Sequence, residues 1–172
     1  MGAEGRVLLL TLEIRDQTAL AGLAKLRAGI HSRAGLLNTL GEYLAESSKQ
    51  RIRDGGPAPD GTPWKPLQPL TLELKKNKDH GILWDSGMLK DTLAFDLEGA
   101  DAVAIGSMMI YARIHQEGGT IKPKEGKKAL NVPGRGFRRS VTIPARPYLG
   151  VSMLDKAVLE RKVLAWLRSL LT

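Results

Sequence analysis

Apolar positions recur along the chain with two periods, and the switches between them mark the elements. Val7 to Ile14 is a Leu-rich run broken by Thr11 and Glu13, and it reads as a strand. Asp16 stands where a helix N-cap belongs, and Ala19, Leu20, Leu23, Leu26 and Ile30 follow at helical spacing. Gly29 and His31-Ser32 read as a break, with Ser32 capping a second helix through its hydroxyl oxygen. That helix carries Leu36, Leu37, Leu40, Leu44 and Ile52 on one stripe, with Tyr43 beside it and polar residues mostly elsewhere. This is an amphipathic helix of about five to six turns. Asp54-Gly55-Gly56-Pro57 stops it, because glycine accepts the left-handed cap and proline cannot continue the helix.

Five of the nine prolines fall in residues 57–69 and leave no room there for helix or central strand. We read an extended arm that Trp64 and Leu67 pin to the body, with a polar, lysine-rich loop closing the segment 57–81. Asp85-Ser86-Gly87 starts a short helix, with Asp85 or Ser86 as its cap and Met88, Leu89 and Leu93 as its apolar side. Ala94 to Glu98 and Ala102 to Ser107 form a hairpin about Gly99-Ala100-Asp101. Met108 to Gln116 reads as a helix with Ile110, Tyr111 and Ile114 apolar, ended by Gly118-Gly119. The arms of a long hairpin over 120–143 follow, then the extended connector Pro144 to Gly150. Ser152 and Asp155 have capping-box spacing, and the last helix carries Leu154, Ala157, Val158, Leu164, Leu167 and Leu171. The fold class is therefore α+β in one domain over 1–172: a small antiparallel sheet, a long helix in the N-terminal half and a C-terminal helix packed on it. A long basic hairpin and a proline-rich arm complete it.

Length agrees with one domain, since 172 residues support one core. No apolar run approaches the ~18–20 residues of a bilayer span, and no signal-peptide core is present. The absence of cysteine removes disulfides, thiolate metal sites and cysteine nucleophiles together. Charge adds a positive clue. The chain carries +8, and residues 122–139 hold seven basic residues against one acid, or +6. These are Lys122, Lys124, Lys127, Lys128, Arg135, Arg138 and Arg139. Such a segment fits an anionic partner, either duplex phosphates or an acidic protein surface.

Catalytic patterns are missing. His31, His80 and His115 are far apart, and none has metal-ligand spacing. Asp85-Ser86-Gly87 lacks a nucleophile elbow, and Gly134-Arg135-Gly136 lacks the residues of a phosphate-binding loop. We expect no enzyme, no cofactor and no metal. No nucleic-acid reading module appears either, so a standalone, sequence-independent nucleic-acid-binding protein is the alternative that charge alone supports.

The order of short blocks is more specific than any one of them. Arg51-Ile52-Arg53 is followed by Pro59-Asp60-Gly61-Thr62-Pro63-Trp64-Lys65-Pro66-Leu67, and then by Ile82-Leu83-Trp84-Asp85-Ser86-Gly87-Met88-Leu89-Lys90-Asp91-Thr92-Leu93 and Ile105-Gly106-Ser107. Tyr111-Ala112-Arg113-Ile114-His115-Gln116-Glu117-Gly118-Gly119 and Ile143-Pro144-Ala145-Arg146-Pro147-Tyr148-Leu149-Gly150 close the series. From about Leu36 onward the chain resembles the phage virion morphogenesis family, the tail-completion proteins of Mu-like phages and their relatives. Met88 stands where that family tends to carry a basic residue. The resemblance implies a structural protein of the virion neck, assembled in the host cytoplasm, that completes the tail or joins it to the head. It implies a homo-oligomeric ring, six copies by the symmetry usual for tails, in contact with head–tail connector and tail proteins, and with packaged double-stranded DNA in its channel but no membrane. In that setting the seven basic residues meet DNA or a partner. Trp64, Leu67, Pro144, Arg146, Pro147 and Tyr148 are the candidate architectural residues. Arg146, with its planar fork of donors, is expected to bond carbonyls or a carboxylate of another segment.

Overall fold

The computed structural model describes residues 16–171. The strand read over Val7 to Ile14 lies outside these residues. Helix α1 (Gln17–His31) opens as its sequence predicts, with Asp16 Oδ1 accepting the amides of Thr18 and Ala19 at 2.9 and 3.2 Å. It runs through Gly29 instead of breaking there. A Cβ on Gly29 would stand 2.4 Å from Leu170 Cδ1, so this glycine serves close approach of the C-terminal helix, not a turn.

Helix α2 (Ala34–Asp54) has Arg33 at its N-cap position, and Ser32 is not its cap. The link between the helices is too short for both roles: the Ser32 amide closes α1 on Gly29 O at 2.9 Å. Arg33 anchors the corner by pairing with Asp101 and donating to Ala100 O at 3.1 Å. Gly55, at φ 75°, ends α2 in the left-handed conformation predicted for it.

The arm that follows is interrupted by a short helix, α3 (Pro69–Leu74), where only extended chain and loop were expected. Pro69 occupies a first-turn position, where its missing N–H costs nothing. Helix α4 (Met88–Asp91) has Gly87, at φ 92°, at its N-cap position, and the Ser86 hydroxyl one residue earlier accepts the Met88 amide at 3.4 Å, whereas Asp85 is not its cap. The Asp85 carboxylate is already taken, accepting the Asn77 amide at 3.0 Å. Leu89 and Leu93 are buried, whereas Met88 is exposed.

Strands β1 (Leu93–Glu98) and β2 (Ala102–Ser107) pair antiparallel, with Phe95 opposite Ile105 and Leu97 opposite Val103. Helix α2 lies across that face. Gly41 permits the contact, since a Cβ there would meet Phe95 Cδ2 at 2.5 Å and Val103 Cγ2 at 2.7 Å. Helix α5 (Ala112–Glu117) starts later than its apolar spacing predicts. Ser107 Oγ accepts the Met109 amide at 3.2 Å and holds 108–111 as a connector, leaving Ile110 fully exposed.

Strands β3 (Gly119–Ile121) and β6 (Val141–Ile143) are the arms of the long hairpin, and a second small hairpin, β4 (Leu130–Val132) with β5 (Gly136–Arg138), sits inside it. The antiparallel pairing is thus divided among three two-stranded ribbons. The inner hairpin is seated: a Cβ on Gly134 would lie 3.0 Å from Leu74 Cδ1 and 3.2 Å from Leu70 Cδ1, so its turn rests on α3. Helix α6 (Met153–Ser169) carries the predicted capping box and packs on α2. Most of its predicted core stripe is not core. Leu154, Leu164 and Leu171 are exposed, and the buried residue of this helix is Asp155.

Candidate functional site

Three of the sequence blocks converge on the chain between β6 and α6. Proline fixes φ and disfavours helix just before it, so Pro144 and Pro147 keep this connector extended and leave its backbone groups for partners from elsewhere. The Arg146 amide donates to His115 O at 2.8 Å. Its buried guanidinium donates to Lys65 O at 2.9 Å and Pro66 O at 3.2 Å, tying down the proline-rich arm. From that arm, buried Trp64 donates its indole N–H to Pro147 O at 3.0 Å. Leu67 and Pro144 lie half-buried next along the chain.

Tyr148, 1% exposed, occupies the centre. Its hydroxyl donates to Ala112 O at 3.2 Å, and its amide and that of Leu149 both donate to Gln116 Oε1 at 2.9 Å. Gln116 Nε2 returns a bond to Leu149 O at 3.1 Å. One glutamine side chain therefore reads the connector's backbone as a strand neighbour would. Arg51 of α2 completes the clasp, donating to Tyr148 O at 2.6 Å and to Asp155 Oδ2 at 3.2 Å. Ile52, Trp64, Leu89, Leu93 and Ala112 form the apolar core around it.

Asp155 is the most heavily bonded carboxylate of the clasp. Besides Arg51, its oxygens accept from Tyr43 Oη at 3.0 Å, Ser47 Oγ at 2.7 Å, and the Ser152 amide and hydroxyl at 2.8 and 2.7 Å. Burial pushes this carboxyl up, but the hydrogen bonds from Ser152, Ser47 and Tyr43 outweigh it and hold the pKa below the usual aspartate value. Burial, reinforced by the same carboxylate, pushes the Tyr43 phenol up. His115, whose Nδ1 is buried without a hydrogen-bond partner, is pushed down by burial and by the Arg146 charge. Among the described residues, no group of three or more histidines and acids is placed to hold a metal ion. No described helix is long and apolar enough to cross a membrane.

The seven basic residues lie apart from the clasp, on the double hairpin, and all are exposed. None of them forms an ion pair among the described residues. Trp64, Arg146, Pro147 and Tyr148 are thus brought together, and the cations form a second, separate surface. Reading the sequence alone missed the roles of Arg51, Gln116 and Asp155. Capping-box spacing marks Asp155, but that spacing carries no sign that the carboxylate is buried under a second helix.

No curated protein and no solved structure matches this chain. The model of the phage virion morphogenesis family matches residues 14–168, nearly the whole chain, so the chain belongs to that family of phage structural and assembly proteins.

Proposed function

We propose that this chain is a structural protein of the phage neck, which completes the tail or joins head and tail as one of six copies in a ring around the DNA channel. The surface is the observation that carries this reading. Among the described residues, fifteen large hydrophobic side chains are exposed, which is apolar surface that neighbours could cover. Met108 at 91% and Ile110 at 100% exposure lie in the connector between β2 and α5, and Met153 at 77% and Leu154 at 80% open α6. Rings use heterologous contacts between different patches, and this distribution supplies them.

The unpaired cations of the double hairpin fit the same setting, since phosphates in a channel compensate them without sequence preference. They also carry a second reading, in which a monomer binds duplex DNA by charge alone. Native mass spectrometry of the purified protein, with cryo-electron microscopy of the virion neck, separates the two. A closed ring on the tail axis is expected. A monomer that binds duplex DNA tightly and is absent from the axis overturns the ring.

A further inference from the structure

The basic segment divides into two chemically different halves. Its four lysines fall in the loop after β3, whereas Arg135, Arg138 and Arg139 lie on or beside β5. The arginine half also carries Phe137, which is 74% exposed. Strand alternation puts Phe137 and its cross-strand partner Asn131 on one face of the inner hairpin, and Leu130 with Arg138 and Val132 with Gly136 on the other. Leu130 and Val132 are half-buried, so the Phe137 face is the outward one. Arg135, in the turn before β5, and Arg139, just after it, stand two residues to either side of Phe137, and both are exposed. A phenyl ring gains nothing from phosphate, while arginine and aromatic side chains are the types that anchor protein–protein interfaces.

The same chain holds a counterpart of opposite sign. Residues 79–101 contain six acids and one lysine, or −5, and of these acids Asp91 is paired with Lys90 and Asp101 with Arg33. Within this stretch the β1–β2 ribbon presses Phe95, Leu97, Val103 and Ile105 toward α2 and turns a second face outward. That outer face is Ala94, Asp96 and Glu98, paired with Gly106, Ala104 and Ala102. No side chain there extends past Cβ except the two carboxylates. Asp96 and Glu98 are exposed, and neither forms an ion pair among the described residues. This leaves a flat floor for an aromatic ring, with anions in place for guanidinium groups.

We propose that the Arg135–Arg139 hairpin of one copy docks on the outer β1–β2 face of a second copy, with Phe137 on the alanine floor and the arginines on Asp96 and Glu98. The two patches differ, so the contact is heterologous and propagates from copy to copy. It rests on the ring reading and supplies the bond between neighbours. The lysine loop then remains free for the channel.

The chain has no cysteine, so engineered pairs report contacts cleanly. Phe137→Cys with Ala104→Cys in one chain, mildly oxidised, is expected to give a ladder of linked chains ending at the ring size, while either substitution alone gives none. A ladder that stops at two means that the hairpin and ribbon meet reciprocally within a closed pair, which overturns both the ring and the propagating contact. No cross-link in a protein that sediments as a ring overturns the contact and leaves the ring. No cross-link in a monomer overturns both. Charge reversal is the second arm. Arg135→Glu with Arg139→Glu is expected to raise the concentration needed for assembly about tenfold or more. Asp96→Lys with Glu98→Lys, mixed with it or combined in the same chain, is expected to restore assembly. If the arginine variant instead forms intact rings and loses affinity for duplex DNA, the hairpin is a DNA contact and the docking fails.

Discussion

Asp155 shows how much a single side chain carries here. Five donors reach its two oxygens, and one of them, the Arg51 guanidinium, is buried with it. Removing one partner of a buried pair leaves the other charge uncompensated. Asp155→Asn is therefore expected to cost about 3 kcal/mol, read as a lower urea midpoint at unchanged slope. The pH dependence has two windows of the same sign. The Asp155 pKa is depressed in the folded state, so its contribution is full above the unfolded value near 3.8 and is lost as pH falls through the folded one. The His115 pKa is depressed below 6.5, so the unfolded chain binds that proton first, and stability falls as pH drops below 6.5. His115→Gln is expected to flatten the first loss and leave the second, in thermal melts collected from pH 8 to pH 3. An unchanged slope between pH 6.5 and pH 5 would assign the titration to another group.

At the scale of elements, legibility follows the length of the pattern. The β1–β2 hairpin, the long α2 with its glycine stop and the Ser152–Asp155 capping box are each written in adjacent residues, and the structure has them where the sequence puts them. Helix α3 is not legible because Leu70, Leu72 and Leu74 alternate with polar residues, a strand period, and only its docking under the inner hairpin makes it a helix. Strands β4 and β5 have three residues each, too few to show any period. Gly29 reads as a break because its true role, admitting Leu170, is set by a helix more than a hundred residues away. The clasp is illegible for the same reason: Arg146 and Gln116 bond backbone groups of distant segments, which leave no mark on residue type, and Arg51 meets the Asp155 carboxylate across 104 residues. The α3 support yields its own prediction. Leu70→Ser is expected to cost less than about 1 kcal/mol overall, yet to speed amide exchange across Leu130–Arg138. Unchanged exchange there would mean that the hairpin holds its place without α3.

For the whole molecule, the contrast between a small core and a large apolar surface separates stability from assembly. Met108 and Ile110 are almost wholly in water in the single chain, so replacing both with serine is expected to change its stability by no more than about 0.5 kcal/mol. The same double variant is expected to sediment at lower mass than the wild type. A drop in melting temperature with unchanged mass would make these residues part of the fold and not of the assembly. The clasp also sets a timetable. Arg51 meets Tyr148 and Asp155 across 97 and 104 residues, and Tyr43 meets Asp155 across 112. Contacts so distant in sequence form late, because loop closure must come before any gain. A chain emerging from the ribosome holds Arg51 and Trp64 long before it holds their partners, so its core cannot close until nearly the last helix has been made. The long reach of the clasp ties the closing of the core around α2 to the arrival of α6.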